Sequence, residues 1–245
     1  MWVKSNGLGN CGAFTLVEVL VVIGIIGVLS SLLMATVAKQ KEKSTQIVCI
    51  NNLRQMVMTA QLHATDNSDR LPWSNWLAGD APDREGWLYT KKANATGTNQ
   101  FDVTTGVFWQ TFQNRRLYRC PRDKESHREF ENRGQQISSY VMNGAVNGYH
   151  KVTYPPATLA DFRESDIMFW ETDENEPRFF NDGASRPDEG VSPRHNQGAI
   201  IASFGGQAFF IKFDDWYAEV ASTNRSRVWC SPSEADGRGD IGFLY

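Results

Sequence analysis

Long runs of like charge are missing from this sequence: 25 basic and 28 acidic residues are dispersed over 245 positions, for a net charge of -3. A nucleic-acid binder carries a basic stripe or patch, so nucleic acid is not an expected partner. Local catalytic signatures are missing as well. There is no G-x-S-x-G elbow, no H-E-x-x-H helix, no P-loop and no G-x-G-x-x-G after a strand, so no catalytic residue is assigned and no enzyme is expected. Cysteine is scarce. Cys11, Cys49, Cys120 and Cys230 include no C-x-x-C pair and no zinc-site spacing, so no thiolate-held metal is expected. If Cys11 is removed by the cleavage argued below, at most one disulfide and one spare thiol remain, in a pairing that spacing leaves open.

What is present divides the chain unequally. Between Val19 and Ala35 run seventeen residues without a charge, about 25 Å of helix, and with its apolar flanks this stretch approaches the roughly 20 residues that cross a bilayer. A cleavable secretory signal would place its small residues after the apolar run; here Gly12 and Ala13 precede it. Glu18, immediately before that run, is the one charge in the apolar segment that begins at Phe14. A carboxylate near the start of an apolar helix is costly unless it has a partner. If the chain is cut before Phe14, the new α-ammonium and Glu18 stand four residues apart on one helix face, and the carboxylate also favours the positive end of the helix dipole.

The stretch AFTLVEVLVVIGIIGVLSSLL resembles the type IV prepilin signature, a small residue followed by Phe-Thr-Leu-x-Glu and an apolar helix. The resemblance implies cleavage by a prepilin peptidase between Ala13 and Phe14, N-methylation of Phe14, and docking of subunits through Phe14 and Glu18. Ala13 stands where the family usually has Gly. The implied partners are the peptidase, other pilin or pseudopilin subunits, an inner-membrane assembly platform and membrane lipid. Counting flanking charges, Lys4 before the span against Lys39, Lys41, Lys43 and Arg54 after it, would put the C-terminal side inside. The resemblance implies the opposite, a single-pass inner-membrane protein with its head in the periplasm, and that reading is adopted.

Past the span, Ile47, Ile50, Leu53, Val57, Ala60 and Ala64 recur every three or four residues, predicting that the helix continues amphipathically to about residue 66. Asp66, Asn67, Ser68, Asp69 and Pro72 then end it with turn chemistry. Four segments follow: a leader at 1–13, a transmembrane helix at 14–37, its amphipathic continuation at 38–66, and a β-rich head at 67–245. From Pro72 to Asn114 no period is evident, and loops with short helices or strands are expected. Tyr140–Met142 and Ile167–Trp170 are strand candidates. Ala199–Phe204 and Gln207–Phe213 flank Gly205-Gly206 and predict a hairpin, and a C-terminal segment from about Ala218 is expected over a sheet edge.

The passages ICINNLRQ, LYRCPRD and ISSYVMN resemble the heads of prepilin-like proteins that carry a C-terminal H-x9-D-G motif. Here His195 stands at the histidine, whereas Gly205, followed by Gly206, occupies the aspartate's place. Read without that resemblance, His195 fits a residue that pins a loop better than a ligand or base, because none of the four histidines is near another at ligand spacing. Glu171, Asp173, Glu174 and Glu176, with Asp214 and Asp215, offer oxygen atoms that calcium accepts, but they lack the D-x-D-x-D-G-x5-E loop and fit a solvated surface better; no cofactor is assigned. The eight tryptophans are assigned mainly to the core. The expected fold is α+β and pilin-like, one long helix on an antiparallel sheet with long loops. The expected function is a structural subunit of a type II secretion pseudopilus or type IV pilus-like filament. The alternative is a membrane-tethered binding protein whose aromatic head captures a glycan or an exported protein.

Overall fold

The computed structural model describes residues 15–76, 84–92, 95–149 and 155–239, and the chain divides into two compact units, residues 1–43 and 44–245. Helix α1, Leu16–Asp66, contributes to both. It lacks proline throughout its 51 residues, so no i→i−4 hydrogen bond is lost inside it.

In the first unit the stretch Leu16–Met34 is apolar and none of it is buried. Leu16, Val19, Val22, Ile26, Leu29 and Leu33 all expose half or more of their surface. A helix that is greasy on every face is stable in lipid or against other apolar helices rather than in water. Leu16–Met34 is thus long and apolar enough to cross a membrane by length and composition.

In the second unit α1 turns one stripe inward. Cys49, Leu53, Met56, Val57, Ala60 and Ala64 are fully buried and belong to one core cluster with the sheet. Spacings of three and four keep them on one face. The predicted stripe is corrected at its start: Ile47 is 57% exposed, and Cys49 and Met56 are buried in addition. Past Asp66, Ser68 and Asp69 adopt positive φ, and the Asp69 N–H donates back to the Ala64 carbonyl at 2.8 Å, closing the helix.

The sheet has five strands, β1 Tyr140–Asn143, β2 Ile167–Glu171, β3 Ala184–Ser185, β4 Gly198–Ser203 and β5 Ala208–Lys212, in the order β3-β1-β2-β4-β5. The pairs β1/β2, β2/β4 and β4/β5 are antiparallel, as expected. The sheet is nevertheless mixed, because β3 joins β1 in parallel. Every residue of β1, β2 and β4 is buried, which is why these strands read as continuous apolar runs instead of alternating ones. The β4–β5 hairpin turns where predicted: Gly206 has φ 89°, and the Ser203 N–H donates to the Gln207 carbonyl at 2.8 Å.

Between helix and sheet the loops supply aromatic mass. Short 3-10 turns at Gly97–Gln100 and Val103–Thr105 and the single-turn helix α2, Trp109–Phe112, occupy part of the region that lacks a sequence period, and a further 3-10 turn, Arg115–Tyr118, follows it. Trp87 packs on Phe169 at 5.1 Å and Phe108 at 5.5 Å between ring centroids, and its indole N–H donates to the Gly183 carbonyl at 2.9 Å. Trp170, Trp216 and Trp229 are buried as well, so these rings fill the core and present no aromatic platform. After β5 comes helix α3, Phe213–Val220. The C-terminal segment then closes the end of two inner strands instead of a sheet edge: the Ile167 N–H donates to the Arg227 carbonyl, and Asn143 Nδ2 donates to Ile167 and Val228 carbonyls at 2.8 and 3.0 Å.

Candidate assembly segment and buried side-chain cluster

The helix start carries the first candidate. Thr15 stands immediately before α1 and Glu18 is its third helical residue. The Thr15 N–H and Oγ1 donate to Glu18 Oε2 at 2.8 and 2.9 Å, and the Glu18 N–H donates to Thr15 Oγ1 at 3.3 Å. This is a reciprocal capping box, which satisfies donors that a helix N-terminus otherwise leaves open. Within one chain, then, the carboxylate already has a local partner, a T-x-x-E signal present in the sequence but not read from it. Ala13 and Phe14 lie outside the described residues.

The second candidate is inside the head, and sequence spacing hid it. Cys49 comes from α1, Cys120 follows the Arg115–Tyr118 turn, Glu171 ends β2, and His195 sits in the turn before β4, where Asn196 and Gln197 take positive φ. All four are buried, and their ligand-type atoms lie within 4.8 Å of one another. The two Sγ atoms are 3.2 Å apart, Cys120 Sγ is 3.5 Å from His195 Nε2, and His195 Nε2 is 3.3 Å from Glu171 Oε1. Glu171 Oε2 accepts the Ile200 N–H at 2.8 Å, while Oε1 accepts no aligned hydrogen bond.

Mutual contact sets the protonation of this group. Hydrogen bonding from Cys49 holds the Cys120 thiol down at about 7 against the effect of burial, and the same bond, with burial, pushes Cys49 up. Burial disfavours the His195 imidazolium, but Cys120 and Glu171 outweigh it and raise His195 to about 9. Burial also works against the Glu171 carboxylate, which His195 and Arg194 nonetheless hold below its ordinary range. Sequence spacing, which brings no two histidines to ligand distance and shows no zinc-site pattern of cysteines, gives no sign of this convergence: residues 71 and 75 positions apart meet here. Cys230 stands elsewhere, beside Asn143 Nδ2 at 3.5 Å.

A charged layer supports the cluster. Arg133 reaches Asp123 with two bonds of 2.9 and 3.0 Å, both side chains being 1% exposed. Asp123 also accepts Ser139 Oγ at 2.7 Å, Ser139 Oγ accepts the Cys120 N–H at 3.0 Å, and Arg194 lies 3.4 Å from Asp123. Acidic residues expected on a solvated surface are thus partly committed inside: Glu171 faces His195, and Glu174 accepts Ser192 Oγ at 2.6 Å. Asp214 and Asp215 lie in the first turn of α3. His195 precedes β4 and Gly205-Gly206 follow it, so the strand separates these motif positions instead of bringing them together.

Residues 8–34 match the family model described as the prokaryotic N-terminal methylation motif. No curated protein and no solved structure matches the chain. That motif overlaps the apolar, unburied part of α1, and the two together support a single-pass inner-membrane topology. The motif's family also points to a structural, non-catalytic role. On its N-terminal motif, its apolar helix and its α+β head, the chain is a membrane-anchored pilin- or pseudopilin-like protein that carries a prepilin-type processing motif.

Proposed function

We infer that the protein is cleaved between Ala13 and Phe14 by a prepilin peptidase, N-methylated at Phe14, and drawn from the inner membrane into a type II secretion pseudopilus or type IV pilus-like filament, with its head in the periplasm. The observation that carries this reading is an apolar helix without any buried residue from Leu16 to Met34, beginning inside the methylation motif with Glu18 as its lone carboxylate. Such a surface is covered either by lipid or by the same segment of other subunits. In the filament each Glu18 exchanges its Thr15 cap for a neighbour's Phe14 ammonium, a head-to-tail contact that propagates instead of closing. The assembly platform supplies the subunits in sequence.

The test separates the cap from the charge. A capping box accepts Gln in place of Glu, so Glu18→Gln keeps the helix start and removes the carboxylate, whereas Thr15→Val removes the cap and keeps the charge. Both variants are expected to insert in the membrane. Glu18→Gln is expected to be lost from sheared filaments or from pull-downs of partner subunits, and Thr15→Val to be retained. Normal incorporation of Glu18→Gln would remove Glu18 from assembly. N-terminal sequencing with and without the peptidase checks processing: a start at methylated Phe14 only when the peptidase is present is the expected result, and an intact Met1 start in its presence would refute the pathway.

A further inference from the structure

The buried cluster of the head has an unusual composition for a packing core. A single ring nitrogen, His195 Nε2, stands 3.5 Å from Cys120 Sγ and 3.3 Å from Glu171 Oε1, with Cys49 Sγ 3.2 Å beyond Cys120 Sγ. One N–H cannot align with two acceptors at once. Glu171 Oε1 in fact accepts no aligned hydrogen bond although its side chain is completely buried, and an unsatisfied buried carboxylate oxygen is expensive. A cation at the centre of the four atoms would satisfy all of them.

We propose that Cys49, Cys120, Glu171 and His195 form a tetrahedral zinc site in the head. Two thiolates, one imidazole and one carboxylate are donors zinc accepts together, and mixed sulfur and nitrogen donors in a closed tetrahedron select it over calcium or magnesium. Bond lengths near 2.3 Å to sulfur and 2.0–2.1 Å to nitrogen and oxygen imply tetrahedral edges of about 3.8 Å between sulfurs, about 3.6 Å from sulfur to nitrogen and about 3.4 Å from nitrogen to oxygen. The last two match the observed 3.5 and 3.3 Å, and the sulfurs need to part by roughly half an ångström. A disulfide would need those sulfurs to close by about 1 Å, to the 2.05 Å of an S–S bond, and would leave the Glu171 oxygen as it is. The supporting shell is in place: the Ile200 N–H fixes Glu171 through its other oxygen, and Ser139 Oγ holds the Cys120 N–H. A cleft of about 620 Å³ has Cys120 in its wall, with Val48, Asn52 and Arg119. The metal would bind the helix to the end of strand β2 and to the two loop segments that carry Cys120 and His195, with release of the thiol protons.

The experiment uses the full chain, solubilised in detergent and kept reduced without oxygen, loaded with zinc and then freed of excess metal. About one zinc per chain is expected to remain in the wild type and in Cys230→Ser, whose thiol is outside the cluster, and at least tenfold weaker retention is expected in Cys120→Ser, His195→Ala and Glu171→Gln. Because a variant can fail for want of folding, cobalt on the wild-type chain is the second measurement: thiolate-to-cobalt charge transfer with the intense visible bands of tetrahedral cobalt is expected. Zinc that washes out of the wild type, equal retention by Cys120→Ser, or a six-coordinate cobalt spectrum would overturn the site. So would chain taken from cell envelopes, with thiols blocked at lysis, that is metal-free and joined between Cys49 and Cys120.

Discussion

Asp123 is the carboxylate that Arg133 and Arg194, the two buried arginines among the described residues, both face. It accepts two bonds from Arg133 and one from Ser139, and faces Arg194. Burial raises its pKa, but the two guanidinium groups and Ser139 outweigh burial and hold it below the ordinary carboxylate range. Replacing Asp123 by Asn leaves two buried cations short of an anion, a change that costs about 3–5 kcal/mol; a loss under about 1 kcal/mol in urea unfolding would refute the role. A depressed folded pKa also fixes the sign of the pH effect. The stabilisation is present above the unfolded value of about 3.9 and is lost as pH falls through the lower folded one, so the acid limb of the wild-type stability profile should flatten in Asp123→Asn. None of this was legible in the sequence. Asp123 sits in a run of mixed charges, Arg122 to Glu125, that reads as surface, and the Cys49, Cys120, Glu171 and His195 cluster is built across four elements with no local spacing to announce it. Residues that act through long-range convergence leave no period, whereas Glu18 was legible because its context is one continuous apolar helix.

At the scale of elements, periodicity carried the reading wherever one face is buried. The inward stripe of α1 follows the predicted three-four spacing from Leu53 to Ala64, whereas Ile47, 57% exposed, lies off it. The stripe makes opposite forecasts for neighbouring residues. Leu53→Ala removes a fully buried side chain and is expected to cost about 2–5 kcal/mol, whereas Met58→Ala, at a position 64% exposed, is expected to change stability by less than about 0.5 kcal/mol. Comparable losses for both variants in chemical denaturation would mean that the helix face has been misassigned. The hairpin was equally legible, because Gly205-Gly206 marks the reversal between two β-prone runs and Gly206 takes the positive φ that a turn needs. Strand β3 was not, since two residues carry no alternation, and its parallel pairing with β1 is made by a chain segment far along the sequence. The region before Asn114 lacked a period for a physical reason as well: its aromatic rings are placed one by one, Trp87 in a bend, Phe101 and Phe108 at helix caps and Trp109 and Phe112 in the single-turn helix α2, which together present no repeating face.

For the whole molecule the division into residues 1–43 and 44–245 separates two solvents within one polypeptide. Every residue of the buried core cluster lies at or after Cys49, and the apolar, unburied stretch ends at Met34. Among the described residues the second unit offers no stretch of comparable apolar length. A chain of residues 44–245 should therefore be soluble without detergent and unfold cooperatively in urea. The full chain should stay with the membrane through an alkaline carbonate wash. With two cysteines engineered together in one chain, at exposed positions such as Val21 and Leu29, the full chain should give a ladder of crosslinked oligomers if its apolar helices bundle into a filament; a membrane-tethered receptor would give at most a dimer. Residues 44–245, which lack those positions, remain monomeric in either case. A soluble, cooperative fragment beside a full chain that forms no ladder would keep the two-unit division and remove the filament. An aggregated or non-cooperative fragment would instead show that the head depends on the segment before Ser44, against the placement of its core.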